Sequence, residues 1–145
     1  MSNRNNRMGR HAALVAALML GACASGGDWE DDAVSSNGRG TVIAGAALAD
    51  GGGSVLDAML GKVPSLKIQR YVGECPHLAL RNDATFRTLV NPHVYVDGTR
   101  ATDTCILESL RSRDVERVEV YPTGVSGRPG YPSHAHGLIL LFMRS

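Results

Sequence analysis

The fold is decided by residues 93–121, which read HVYVDGTRATDTCILESLRSRDVERVEVY. Apolar and polar side chains alternate over residues 93–96, as they do in a half-buried strand. Asp97-Gly98 follows at once, and this dipeptide tolerates positive φ in a tight turn. The stretch therefore begins as a strand that ends in a turn.

The middle of the stretch predicts a short helix. Thr102 or Asp103 can cap it, because a side-chain oxygen there can accept a hydrogen bond from the first turn. Ile106, Leu107 and Leu110 follow at three-to-four spacing, which places them on one face. That apolar stripe is expected to face the core.

A second strand is predicted over Val115–Tyr121. Alternation places Val118 and Val120 together on an inward face, and Pro122 ends the strand because it has no N–H to donate. The opposite face carries Arg117, Glu119 and Tyr121. Arginines surround the carboxylates of this stretch, so we expect Asp114, Glu116 and Glu119 to be paired surface charges and not a catalytic group.

The remaining elements complete an α+β pattern. A helix is predicted over residues 54–62, where Ser54 and Asp57 form a capping-box-like pair. Short strands are predicted over residues 66–70 and 78–81, and the apolar run GLILLFM at residues 137–143 predicts a central strand buried on both faces. The expected fold class is a small mixed sheet layered with short helices.

The first 22 residues predict a signal peptide. Arg4, Arg7 and Arg10 precede an apolar run over residues 12–20 that is too short for the roughly 20 residues of a membrane-spanning helix. The run leads into LGAC at residues 20–23, which resembles a bacterial lipobox. The resemblance implies cleavage before Cys23 and lipidation of Cys23. The alternative is cleavage at Ala22 or Ala24, with Cys23 left as an ordinary thiol.

The resemblance to sorted lipoproteins also implies a destination, since Ala24 stands where an Asp would favour the inner membrane. The expected location is the periplasmic face of the outer membrane. Residues 23–40 are rich in Gly, Ser and Asp and predict a flexible tether, and residues 41–145 predict a single domain. Without residues 1–22, 12 basic residues remain against 14 acidic ones, which argues against nucleic-acid binding.

The cysteine count agrees with export. If Cys23 carries lipid, Cys75 and Cys105 remain as an even pair in an oxidising compartment, which predicts a disulfide that contributes about 3 kcal/mol. The alternative is two separate buried thiols. A metal site is not predicted, because neither cysteine lies in a CxxC motif, and no cofactor is expected.

The pieces together resemble the plug domain of TonB-dependent outer-membrane receptors. In order they are VLDAMLGKVPSLKI, LALRN, VYVDGTR, LESLRSRDVERVEVYP and HGLILLF, and they span residues 54–143. Ser65, Asn82 and His136 depart from the glycines that the family prefers at turns. Two residues, Arg144 and Ser145, follow the last predicted strand, so we expect no β-barrel and no transport by this chain alone.

The resemblance implies recognition of a ligand or an envelope protein, and we expect no enzymatic activity. Loops carry function more often than strands, so residues 82–92 and 123–136 are the predicted contacts, with Arg128, Tyr131 and His134 as partner-binding residues. Replacing Arg128 or Tyr131 with Ala is expected to weaken binding and leave stability nearly unchanged. The alternative function is a structural envelope lipoprotein without a specific ligand.

Overall fold

The computed structural model describes residues 34–36, 39–50, 52–64, 66–81, 90–126 and 128–145. The predicted signal peptide, Cys23 and residues 82–89 of the first predicted loop lie outside the described residues. None of the described helices has the length and apolar character needed to span a membrane.

A six-stranded mixed sheet forms the centre of the described chain. Its strands are β1 (Val34–Ser36), β2 (Thr41–Ala44), β5 (His93–Val96), β6 (Thr99–Arg100), β7 (Val115–Tyr121) and β8 (Leu138–Met143). They lie in the order β1-β2-β7-β8-β5-β6, with β5 and β8 parallel and every other neighbouring pair antiparallel. This sheet with its short helices confirms the predicted small α+β fold.

Three short helices cover one face of the sheet. They are α1 (Ala46–Ala49), α2 (Val55–Met59) and α3 (Ile106–Ser109), and a 3-10 turn at Ser112–Asp114 leads into β7. Their apolar side chains pack on alternate residues of the strands, including Ile43, Val118 and Ile139, all of which are completely buried. The main core therefore lies between the helices and this face of the sheet.

The start of α2 shows the predicted capping box. The Asp57 amide donates to Ser54 Oγ at 3.2 Å, and the Asp57 carboxylate accepts from the Ser54 amide at 3.3 Å. Two backbone donors of the first turn are thereby satisfied. The helix ends at Met59, three residues earlier than predicted.

Residues 93–121 adopt the predicted strand, turn, helix and strand. Asp97 and Gly98 have φ values of 46° and 83°, and they join β5 to β6 in a two-residue hairpin. The predicted cap at Thr102 or Asp103 is not observed, because Cys105 is the N-cap of α3 and no side chain caps the helix; Asp103 Oδ1 instead accepts from the Cys105 amide at 3.0 Å. Val115–Tyr121 forms β7 with the predicted bounds.

A separate hairpin is attached to this core by a disulfide. The hairpin pairs β3 (Lys67–Gln69) with β4 (His77–Ala79). Cys75 in its turn is bonded to Cys105 beside α3, with an S–S distance of 2.01 Å. The predicted pair is thus present, and it joins elements 30 residues apart.

Two elements differ from the expectations. Val34–Ser36 forms β1 and pairs with β2 within the stretch predicted as a flexible tether, so the sheet begins before residue 41. All three residues of β1 are exposed, and their pairing is made by the backbone. The apolar residues 41–48 predict an edge strand, but the strand ends at Ala44 and the chain continues as α1.

Candidate functional site

The second face of the sheet is covered by a loop. Across neighbouring strands, Glu119 of β7 lies beside Leu140 of β8, which lies beside Tyr95 of β5. All three are buried, at 2%, 0% and 6% exposure. Residues 122–137, which connect β7 to β8 and are described apart from residue 127, contact this face and are called the covering loop.

The covering loop is closed at its neck by backbone hydrogen bonds. The His134 amide donates to the Gly124 carbonyl at 3.0 Å, and the Gly124 amide donates to the Tyr121 carbonyl at 3.0 Å. Gly124 has φ 70°, and a Cβ atom there would lie 1.6 Å from the His134 carbonyl oxygen. Only glycine fits where the two sides of the neck meet. The neck makes this a compact loop of the Ω type.

Arg128 makes the first contact between the loop and the sheet. Its Nε donates to Glu119 Oε2 at 2.7 Å, and its Nη2 donates to Oε1 at 2.5 Å. The same carboxylate accepts from Arg117 Nε at 2.9 Å and from the Tyr121 hydroxyl at 2.8 Å. Four donors thus meet one buried carboxylate, which is what an ionised group needs away from water.

The electrostatics of Glu119 follow from these partners. Burial alone would raise its pKa, but hydrogen bonds from Arg128 and Tyr121 and the charges of both arginines outweigh burial, so the pKa lies below its usual value. Burial raises the pKa of Tyr121, and the hydrogen bond to Glu119 raises it further. Glu119 is therefore a carboxylate at neutral pH, and Tyr121 is its neutral donor.

An aromatic ring joins the two arginines. The guanidinium carbons of Arg117 and Arg128 lie 4.4 and 5.0 Å from the centroid of the Phe142 ring. Both cations therefore interact with the ring as well as with the carboxylate. This arrangement fixes the direction in which Arg128 reaches across the sheet.

Tyr131 makes the second contact. Its ring meets the ring of Tyr95 edge to face, with the centroids 5.1 Å apart and the planes at 87°. This is a preferred geometry for aromatic pairs. Because Tyr95 lies on β5 and Glu119 lies on β7, the covering loop crosses over β8 between its first two contacts.

His134 makes the third contact, with His93 at the start of β5. The two rings are stacked, with their centroids 3.5 Å apart and their planes at 19°. The ring of His136 lies 5.6 Å from that of His134. On its other side, His93 Nε2 lies 2.7 Å from Nη2 of Arg100 on β6.

The structure thus brings the three predicted partner-binding residues onto one loop and gives each of them a contact within the chain. Arg128 ion-pairs with Glu119, Tyr131 packs on Tyr95, and His134 stacks on His93. The expectation that loop substitutions leave stability unchanged does not fit Arg128, which neutralises a buried carboxylate.

The prediction that Glu119 is a surface charge is wrong. Glu119 is 2% exposed, whereas Asp114 and Glu116 of the same stretch are exposed as predicted. The physical reason is the covering loop, which buries the face that carries Glu119 and brings Arg128 with it. One sequence signal does point to this burial. The apolar run of β8 predicts a strand covered on both faces, and β7 is its neighbour.

The described part of the chain contains one cluster of possible metal ligands. It consists of Cys75, Cys105 and Asp103, whose candidate ligand atoms lie within 4.8 Å of one another. The two sulfur atoms are bonded to each other, and thiolates rather than disulfide sulfurs bind metals. These residues therefore serve the structure of the hairpin.

Comparison of the chain with models of known protein families and with curated protein sequences gave no match.

Proposed function

We propose that this chain is a plug-like recognition module of the bacterial cell envelope. A lipid on Cys23 anchors it at the periplasmic face of the outer membrane, and it binds an envelope protein or a ligand there instead of catalysing a reaction. It works in association with TonB-dependent uptake and is not itself a transporter. The ordered sequence pieces of a receptor plug support the first part of this proposal, and LGAC supports the anchor.

The observation that carries the proposal is the fixed position of the covering loop. Its three contacts fall on the side that faces the sheet, and between them Pro129, Gly130, Pro132 and Ser133 are exposed. Two of these residues are prolines, whose rings restrict φ. A loop that is already held in one conformation loses little entropy when it binds a partner. The loop is therefore suited to recognition.

The same arrangement divides the work among the predicted contact residues. The Arg128 side chain is 43% exposed although it binds Glu119. Tyr131 and His134 are half-buried, so part of each residue remains accessible to solvent. In this proposal the inner edges of the three side chains position the loop, and their outer edges meet the partner.

Site-specific photo-crosslinking in intact cells tests the proposal. A photoreactive residue replaces Ser133, which is exposed on the covering loop. The matched control replaces Ser109, which is exposed on α3 at the opposite face of the sheet. We expect a discrete protein adduct from position 133 and none from position 109. A ligand smaller than a protein would appear as a defined mass added at position 133.

Two results would overturn the proposal. One is the same adducts from both positions, which indicates unspecific contact. The other is no adduct at position 133 in lipid-anchored protein, which favours the structural envelope lipoprotein. Repeating the experiment with Cys23→Ala separates the anchor from the surface, because a loop with a specific partner should still crosslink to it when purified protein is mixed with envelope extract.

A further inference from the structure

The stacked imidazoles of His93 and His134 connect the neck of the covering loop to the sheet. His134 belongs to the neck, where its amide donates to Gly124, and its carbonyl accepts from the Gly137 amide at 3.0 Å. His93 is the first residue of β5, and its own amide donates to the Gly137 carbonyl at 3.1 Å. The pair therefore joins the neck of the loop to the sheet at a position where both backbones are hydrogen-bonded.

Arg100 dictates the protonation state of His93. A guanidinium keeps its charge and has only donors, so His93 Nε2, which lies 2.7 Å from Arg100 Nη2, must be the acceptor. The imidazole is then neutral, and its proton is on Nδ1. Protonation of Nε2 would direct two N–H groups at each other and would place two positive charges in contact. The observed geometry therefore requires an unprotonated Nε2.

The described surroundings of the stack supply no negative charge to balance a proton. Among the described residues, the charged and titratable groups that face the pair are Arg100 from β6 and His136 from the loop, and no described carboxylate pairs with either ring. The Nδ1 atoms of both His93 and His134 are buried without a hydrogen-bond partner. A proton taken up by His93 would thus lie beside the Arg100 guanidinium, with no described carboxylate to balance it.

The pKa of His93 agrees with this geometry. Burial lowers it below the ordinary value of 6.5, and the neighbouring His134 and Arg100 lower it further. His93 binds a proton less readily when the loop is closed. Its contribution to the stability of the closed loop is therefore fully present above pH 6.5. This contribution is lost as the pH falls from 6.5 toward the depressed pKa.

We propose that the His93–His134 stack is an acid-sensitive latch that holds the covering loop on the sheet at neutral pH and releases it when His93 takes up a proton. The helical face of the sheet is unaffected, because its core is built from apolar side chains. The latch depends neither on the lipid anchor nor on the identity of a partner. It would make display of the loop respond to the acidity of the compartment.

Hydrogen exchange of the full chain between pH 7.5 and pH 5.5 tests the latch. Protection factors, which remove the intrinsic pH dependence of exchange, are measured for the neck amides of Gly124 and His134 and for the β7 amides of Val118 and Val120. We expect neck protection to fall by up to about tenfold for each pH unit below 6.5, because one proton is taken up on opening. Protection in β7 should stay constant.

Three variants identify the source of the effect. His93→Phe keeps a ring that can stack on His134 and cannot take up a proton, so its neck protection should not depend on pH. His136→Gln is the matched control, and it should behave like the native chain. Arg100→Gln changes an exposed residue and leaves the fold intact, since Gln can donate to neutral His93 or accept from protonated His93. Its protection should fall less steeply than that of the native chain.

The latch is overturned if native neck protection changes less than about twofold between pH 7.5 and pH 5.5, well short of one proton's linkage. It is equally overturned if His93→Phe keeps the native pH dependence. If that variant fails to fold, Arg100→Gln is the deciding variant. An unchanged pH dependence in Arg100→Gln would show that the Arg100 charge does not contribute to release of the loop, and the latch would be overturned.

Discussion

Arg128→Ala should destabilise the protein, although Arg128 lies on a loop. The substitution removes the two hydrogen bonds that Nε and Nη2 donate to Glu119. These bonds are lost from a carboxylate that is 2% exposed in the native chain, and Arg117 and Tyr121 are its remaining partners. A buried charge that loses part of its compensation raises the free energy of the folded state.

The size of the loss in the free energy of unfolding depends on the partners that Glu119 keeps. Breaking a fully buried ion pair costs about 3–5 kcal/mol. Here two of the three partner side chains stay in place, and the Arg128 side chain is 43% exposed, so solvent screens part of the interaction. We therefore expect a loss of about 2 kcal/mol, which lowers Tm by roughly 8–16 °C for a domain of about 100 residues.

Urea unfolding at pH 7, followed by circular dichroism, measures this loss. Arg113→Ala is the matched control, because Arg113 is 68% exposed and its ion pair with Asp114 is long, at 3.8 Å. It should change stability by less than about 0.5 kcal/mol. In a Glu119→Gln background, Arg128→Ala should cost at least about 1 kcal/mol less than in the native chain, since the two residues are coupled.

The pH dependence provides a second check. The pKa of Glu119 is lowered in the folded state, so its contribution is present above the unfolded carboxyl pKa and is lost as the pH falls toward the folded one. The difference between the native chain and Arg128→Ala should therefore shrink between pH 7 and pH 3. A loss at pH 7 no larger than that of Arg113→Ala, or a loss independent of pH, would refute the ion-pair argument.

Three other predictions concern the anchor, the disulfide and the loop neck. Cys23→Ala should leave the membrane fraction and accumulate as an unprocessed precursor, which fractionation and intact mass detect; normal membrane retention contradicts the lipobox. Reduction should add two hydrogens to the native mass and expose Cys75 and Cys105 to alkylation, and Cys75→Ala/Cys105→Ala should lose about 3–4 kcal/mol in urea, given the 30-residue separation; alkylation without reduction contradicts the bond. Gly124→Ala should cost at least about 2 kcal/mol, because a Cβ would clash with the His134 carbonyl and the φ is positive; native-like unfolding contradicts the closed neck.

Three strands of the main sheet, β5, β7 and β8, are predictable because their signals are local. Alternation and the Asp97-Gly98 turn give β5 and β7 with their observed bounds, and the apolar run gives β8. β1 is not predictable in this way, since its three exposed side chains carry no pattern and its pairing with β2 is made by backbone groups. The four residues of α1 are too few for a helical period to be visible.

The candidate site is only half visible in the sequence. The prolines and glycines of residues 122–136 predict a loop, and Arg128, Tyr131 and His134 are its predicted partner-binding residues. Their partners are not recognisable, because the loop must first fold back over the sheet. His93 and His134 are far apart in the chain, and Glu119 is placed wrongly by a rule that assumes charged residues of a strand face solvent.

The two faces of the sheet are held by different forces, and this difference explains how the protein can combine a stable domain with a responsive surface. The helical face is held by apolar burial, which changes little with pH. The covering loop is held by one buried ion pair, one aromatic contact and one pair of imidazoles. Two of these three contacts depend on protonation, so acid weakens the loop before it reaches the core. A binding surface placed on this loop can therefore be regulated without unfolding the domain that carries it.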